Sequence, residues 1–338
     1  LVFVHGIKGG RLRDERGLRW VGARQALGLD RRPLSLPLGW AEQQDRDGLT
    51  PDGPIARVLW VSIYGGFLKH AARVARTFVP FSYDWRREIP EAAAHLTTTL
   101  ERLAAEHGRP ARIVAHSMGG LVTLHALRER PDLACGVLFA GTPFGTGIGF
   151  TRDTHIGSTT GLNAQSLSVA AANSWSAHWV FFPTGPDAGL RDGAHALDHD
   201  WYDPASWERH GLGVFAPGSG FDPALYRAHL TEAMGRAART RARLQDPAAL
   251  ASAGVPIAIL RSGDHDTPTT VVRNGPRAVR GWDVDTVESA PGDGRVRFPA
   301  TEPPGLSFEA FSTSRGHDAL LEDGHQVDAA LAWLVARA

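Results

Sequence analysis

A single cysteine, Cys135, stands among 338 residues, so no intrachain disulfide can staple the fold. That fits a reducing, cytoplasmic-type compartment, because structural disulfides form and persist where conditions are oxidising. Net charge is missing too: Lys+Arg and Asp+Glu are both 36, for a formal charge of zero. A balanced chain has no electrostatic draw toward nucleic acid, which is not expected as a partner, and any contact with lipid must rest on apolar and aromatic side chains. No apolar run reaches the roughly 18 residues that a membrane-spanning helix needs. No export leader is visible; the chain opens without Met inside the run Leu1-Val2-Phe3-Val4, so a preceding segment is expected. Phosphate loops, zinc-ligand spacings and the dinucleotide fingerprint are absent, so neither metal nor cofactor is expected. His195 and His199 with Asp198 and Asp200, and the group Asp264-His265-Asp266, are weighed as divalent-ion sites and read as polar loop instead. What is present is a globular composition, 43% hydrophobic and 21% charged, enough to bury a sizeable core. Oligomeric state is not legible from it.

Periodicity divides the chain into a repeating frame and two excursions. Residues 1–4, 112–115, 136–140 and 256–260 read as short buried strands, 79–83 as the end of another and 277–287 as a further one. Helical patterns lie between them. In 90–107, Leu96, Leu100 and Leu103 recur at helical spacing, with Pro90 in the first turn and Gly108 and Pro110 as a stop. Further helices are expected over 119–130, from Asp222-Pro223 to about Leu244, and from about Val327 to Val335. Such alternation implies one α/β domain over 1–338, a mostly parallel sheet with helices on both faces. Two stretches break it. Residues 8–75 read as a lid-like excursion and 141–220 as a cap insertion holding Trp175, Trp179, Trp201 and Trp207. Trp60, Phe67, Trp175 and Trp179 are the aromatics expected to face an acyl groove or a lipid surface.

Ala115-His116-Ser117-Met118-Gly119 falls between a strand and a helix. A sharp turn there lifts a serine hydroxyl above the strand ends, and only small residues fit two positions before and after it. Ser117 is the candidate nucleophile and His116 a structural neighbour. This strand–turn–helix serine is the nucleophile elbow of the α/β-hydrolase fold. In that fold one oxyanion N–H comes from an upstream loop and the other from the residue after the nucleophile. Here these are Ile7, in Val4-His5-Gly6-Ile7-Lys8-Gly9-Gly10, and Met118. The acid and then the histidine follow the serine in sequence. Three acids stand: Asp264 and Asp266 after the strand ending at Leu260, and Asp293 on a tight turn in Gly292-Asp293-Gly294. For the base, position ahead of the last helix selects His317, in Ser314-Arg315-Gly316-His317-Asp318; His325 falls at or in that helix.

With these residues in place, the chain resembles the lecithin:cholesterol acyltransferase family, which includes bacterial members. The resemblance runs from Val4-His5-Gly6 to the last helix. It is most specific in Tyr83-Asp84-Trp85-Arg86, in 115–120, in Gly141-Thr142-Pro143-Phe144-Gly145 and in Gly292-Asp293-Gly294. Residues 34–38 and 47–53 look like the family's lid region, and 174–183 like part of its cap. The resemblance implies Asp293 as the acid and His317 as the base. It also implies transfer of a lipid acyl group through an acyl-enzyme to water or an alcohol, with a lipid ester as partner at a membrane or micelle surface. Three positions depart from the family: Arg295 replaces its usual Thr, the paired lid cysteines of the animal members are missing, and Lys8 stands where those members are apolar. These departures bear on specificity for phosphatidylcholine and sterol. A simple carboxylesterase or lipase without a transfer step is the second reading, and a catalytically silent lipid-binding protein the third.

Overall fold

The computed structural model describes residues 1–39, 47–184 and 189–337. Six strands form its central sheet: β1 (Val2–Val4), β2 (Val79–Phe81), β3 (Ala111–His116), β4 (Ala134–Ala140), β5 (Ile257–Arg261) and β6 (Glu309–Ser312). Their spatial order is β6-β5-β4-β3-β1-β2, and every pairing is parallel. Parallel strands covered on both faces read as continuous apolar runs, as β1, β3, β4 and β5 do. Alternate side chains divide between two cores. Val2, Val4, Ile113, Ala115, Val137, Phe139, Ile257 and Ile259 share one with Leu96, Leu100, Leu121 and Leu124. Phe3, Val114, Leu138, Ala258 and Leu260 share the other with Phe67, Leu320 and Leu334.

The helices supplying those partners are α1 (Gly65–Val74), α2 (Ile89–His107), α3 (Met118–Glu129), α4 (Pro223–Leu244) and α5 (Gly324–Val335). Helices α2 and α3 cover the first face with α4 beside them, and α1 and α5 cover the second. The ends follow local chemistry: Gly108 closes α2 in the left-handed region, and the Asp222 carboxylate accepts from the N–H groups of Ala224 and Leu225 ahead of Pro223. A mostly parallel sheet with helices on both faces and inserted segments is the α/β-hydrolase architecture.

The frame differs from the sequence expectation at one helix, α1, which lies inside the stretch 8–75 read as a lid-like excursion, and at one strand. Residues 277–287 do not join the central sheet; Trp282–Asp283 instead closes a small sheet with His195–Ala196, Leu190–Asp192 and Val271–Arg273. The sixth central strand is β6, an edge strand that is mostly exposed and carries no apolar run to announce it.

Three of the four aromatics expected to face a ligand or lipid are core residues. Phe67 lies on α1, 2% exposed, with its ring 4.9 Å from that of Phe3. Trp175 and Trp179 are both 0% exposed, packed at 5.1 Å against Trp85 and at 5.2 Å against Trp207. Their burial is stable because each indole N–H has an internal acceptor, Leu34 O at 2.8 Å and Trp175 O at 2.9 Å. Trp60 alone is outward, 82% exposed between the hairpin strands Arg57–Val58 and Val61–Ser62. Segment 34–38 is stitched to the cap: the Leu34 N–H donates to Ser166 O and the Leu36 N–H to Ser174 Oγ. His195 sits on a strand and His199 is buried, so their spacing of four does not share a helix face. Among the described residues no helix is long and apolar enough to cross a membrane, and no three His, Cys, Asp or Glu are grouped to hold a metal ion.

Candidate active site

Strand β3 ends at His116, and Ser117 caps α3 with φ 53° and ψ −127°. A non-glycine residue in that region costs on the order of 1–3 kcal/mol, a strain that packing must hold in place. Part of the packing is the absence of a side chain at Gly119, where a Cβ would stand 2.4 Å from the carbonyl oxygens of both Val4 and His5. The start of α3 therefore lies against the backbone leaving β1. A Cβ at Gly6 would likewise fall 2.8 Å from the Ser117 Cβ, so the loop after β1 runs beside the hydroxyl.

Two later segments meet this serine. Asp293 follows the strand Ser289–Gly292, which pairs antiparallel with His265–Pro268 in the connection between β5 and β6. His317 begins the turn after β6, and its N–H donates to Asp293 O at 2.8 Å. The Asp293 Oδ2 lies 2.7 Å from His317 Nδ1, and His317 Nε2 lies 2.9 Å from Ser117 Oγ. A carboxylate only accepts, so Nδ1 carries the hydrogen and Nε2 is left to accept from the serine. Oδ1 of Asp293 accepts from the N–H groups of Arg295 (2.9 Å) and Val296 (2.7 Å). Burial pushes this carboxyl up, but His317 and the two N–H groups outweigh it and hold Asp293 below the usual carboxylate range. Gly141, at φ 55° just past β4, leaves room for the pair: a Cβ there would stand 3.0 Å from Asp293 Oδ2 and 3.1 Å from His317 Nδ1. Asp264 and Asp266 make no hydrogen bond to His317; Asp266 pairs across the hairpin with Pro291. His325 lies exposed in the first turn of α5, away from the serine. The N–H groups of Ile7 and Met118 have no acceptor among the described residues, the condition of donors free to take a ligand oxygen. Serine, imidazole and carboxylate in line can pass a proton from hydroxyl to imidazole while the carboxylate holds the ring.

Of the groups that brace this line, His116 and Tyr83-Asp84-Trp85-Arg86 were read from the sequence as structural, with Asp84 buried and paired, whereas Tyr64 and the Lys8–Asp153 pair were missed. The Gly6 N–H donates to Tyr64 Oη at 3.1 Å; Tyr64 Oη is 2.8 Å from His116 Nδ1; and His116 Nε2 is 2.9 Å from His317 O. The carbonyl of His317 can only accept, so His116 donates through Nε2 and receives the Tyr64 hydroxyl at Nδ1. Burial and the neighbouring His317 lower His116 to about 4, which keeps it neutral in that role. Tyr64 sits in a stretch with no clean period, and nothing local marks it. A second brace is Lys8. Its ammonium pairs with the buried Asp153 of the cap, which also accepts from Ser158 Oγ, and it lies 5.2 Å from the ring centroid of Phe150. The Trp20 indole N–H donates to Lys8 O at 2.9 Å. Tyr83-Asp84-Trp85-Arg86 adds a third: Tyr83 Oη donates to His5 O, and Trp85 Nε1 to Gly10 O. Arg86, 0% exposed, pairs with Asp84 at 2.7 Å and with Asp47.

Ser117 and His317 open into a cavity of about 820 Å³. Trp20, Val21, Ala26, Ile55, Ile63 and Leu167 give it an apolar wall; Lys8, Arg152, Arg295 and Arg297 give it a basic one, and Trp60 stands at its rim. The sequence profile of the lecithin:cholesterol acyltransferase family matches residues 55–201. An uncharacterized protein of Saccharomyces cerevisiae is 29% identical over 149 residues, covering 42% of this chain and 23% of its own length. This chain thus spans about a quarter of that relative. Among solved structures, a chain of the Tle4–Tli4 complex aligns over 99% of this chain and 97% of its own at 13% identity, with a TM-score of 0.60. The mature lipase BlEst2 of Bacillus licheniformis aligns over 98% of this chain and 90% of its own at 12% identity and a TM-score of 0.41. At such identities the likeness to the first of these concerns the fold.

Proposed function

We propose that this chain is a serine-dependent acyl hydrolase or O-acyltransferase of lipid esters. The observation that carries the reading is the line from Asp293 through His317 to Ser117, at 2.7 and 2.9 Å, opening into a largely apolar cavity. His317 Nε2 takes the proton as Ser117 Oγ attacks the ester carbonyl, and Asp293 stabilises the imidazolium. The oxyanion of the tetrahedral intermediate forms beside the N–H groups of Ile7 and Met118. Collapse expels the alcohol, which receives the proton from His317, and leaves an acyl-Ser117. Water or an acceptor alcohol, deprotonated by His317, then releases the acyl group. The partial family match and the apolar wall support a lipid as the ester. Incubation with a mixed lipid extract, with and without added long-chain alcohol, tests the reading by mass spectrometry. Fatty acid, or a new ester when alcohol is present, should appear with the wild type and not with Ser117→Ala. Lipid left unchanged by the wild type would contradict it.

A further inference from the structure

Among the described residues, five other than glycine hold a left-handed φ, and Lys8, at 60°, is one of them. It directly follows Ile7, whose N–H the mechanism above uses. The Gly9 N–H donates to Gly6 O at 3.0 Å and closes a β-turn with Ile7 and Lys8 at its corners. A left-handed φ at the second corner alone makes this a turn of type II, a place that favours glycine because a Cβ there crowds the backbone. Lysine at that corner is strained, and its surroundings hold it there. The side chain reaches into the inserted segment 141–220, where the ammonium pairs with Asp153 on the short helix Thr151–His155. The ring centroids of Phe150 and Trp175 lie 5.2 and 5.9 Å from it. Asp153 is buried, so withdrawing the ammonium would leave its carboxylate with Ser158 Oγ and, at longer range, Arg295. The Trp20 indole N–H fixes the Lys8 carbonyl at 2.9 Å. The start of the turn is held separately, by the Gly6 N–H on Tyr64 Oη at 3.1 Å.

We propose that Lys8 is a positioning residue of the oxyanion site: its ion pair with Asp153 holds the turn in the left-handed form that aims the Ile7 N–H at the ester oxygen. The assignment rests on the ester-cleaving reading above and adds a residue to its machinery. Released from Asp153, Lys8 gains by relaxing to a negative φ, which flips the Ile7–Lys8 peptide and converts the turn to type I. The flip swings the Ile7 carbonyl to the opposite face of the turn and re-aims the corner that presents the Ile7 N–H. An oxyanion donor acts by being preset where charge develops, so a shifted donor lowers the rate and leaves ground-state binding nearly unchanged. Lysine itself touches no reacting atom in this role. Glycine at the same position holds a left-handed φ unaided, so the backbone form can be separated from the charge.

Two double variants make that separation. Lys8→Met with Asp153→Asn, and Lys8→Gly with Asp153→Asn, both remove the ion pair without leaving a buried charge. Each is assayed for kcat and KM on a soluble hexanoate ester. Inhibition by hexyl trifluoromethyl ketone, whose serine adduct carries an oxyanion, is set against inhibition by hexyl methyl ketone, which binds unreacted. The methionine variant should lose about 100-fold in kcat with KM within a few-fold, and lose affinity for the trifluoromethyl ketone in parallel but not for the methyl ketone. The glycine variant should recover roughly tenfold or more of both losses. Asp153→Asn alone, the mildest change, should move kcat and adduct affinity in the same direction as the methionine variant. A glycine variant no faster than the methionine variant, a loss carried by KM, or an Asp153→Asn enzyme unchanged in both readings would overturn the assignment of Lys8 and leave the ester-cleaving reading intact. A wild type that cleaves no ester would overturn that reading and the role of Lys8 with it.

Discussion

Asparagine at position 293 should keep the shape of the turn and remove the charge that orients His317. Asp293→Asn is expected to lower kcat by about 10⁴, while Asp264→Asn and Asp266→Asn leave it within a few-fold. Steady-state rates on one soluble ester separate the three. Tyr64→Phe is a subtler case. It deletes the hydroxyl that links Gly6 to His116, leaving two buried polar groups without a partner. A loss of about 1–3 kcal/mol follows. It should appear as a fall in kcat with little change in KM, because both ends of the link hold reacting groups rather than substrate. At this scale Ser117 and His317 could be named as candidates from their local turns and their order along the chain, whereas Asp293 stood level with Asp264 and Asp266 until the family resemblance singled it out. Tyr64 and Asp153 could not be named, since each matters through a partner 52 or 145 residues away.

Lys8 and Asp153 tie the loop after β1 to the inserted segment 141–220. Lys8→Met should leave Asp153 buried with its carboxylate held by Ser158 and, at longer range, Arg295. Removing one partner of a buried pair costs about 3–5 kcal/mol, so the variant should unfold at lower temperature and lose turnover. The double change Lys8→Met with Asp153→Leu should recover stability more than turnover if the pair also holds the Ile7 N–H in place. Thermal unfolding beside kcat distinguishes these. The hairpin carrying Trp60 is a separate element. With Trp60 at 82% exposure and Val61 at 50%, it places apolar surface at the cavity rim. Trp60→Ala should reduce turnover of micellar substrate more than that of a dissolved short ester, whereas Phe67→Ala should cost about 3–5 kcal/mol of stability on any substrate. Amphipathic spacing and end signals made the long helices α2 to α5 readable. Strand β6 escaped because an exposed edge strand needs no apolar pattern. The cap tryptophans escaped because composition alone does not say which face of a loop turns inward.

Across the whole molecule, seven buried histidines whose pKa burial lowers set the response to acid, His125 and His155 among them. Burial lowers His5, His116 and His229 to about 4, and His178 and His199 to about 3. In the unfolded chain each returns to about 6.5. Between these values the unfolded state takes up protons that the native state refuses, so stability falls as pH drops from about 6.5 toward 4. Above 6.5 these groups contribute nothing to the slope. Each contributes up to about 1.4 kcal/mol per pH unit within the window. Thermal unfolding should therefore show a steep loss of Tm between pH 7 and 5. His178→Phe, whose ring would replace one with no hydrogen-bond partner at either nitrogen among the described residues, should flatten the loss. A Tm constant over that range would contradict neutral burial of these rings.

The ester-cleaving account itself depends on Ser117 being held reactive by His317. Intact-mass analysis after exposure to a fluorophosphonate tests that most directly. One adduct per wild-type chain is expected, none in Ser117→Ala, and strongly slowed labelling in His317→Ala. An adduct that persists in Ser117→Ala, or labelling at the wild-type rate without His317, would contradict it.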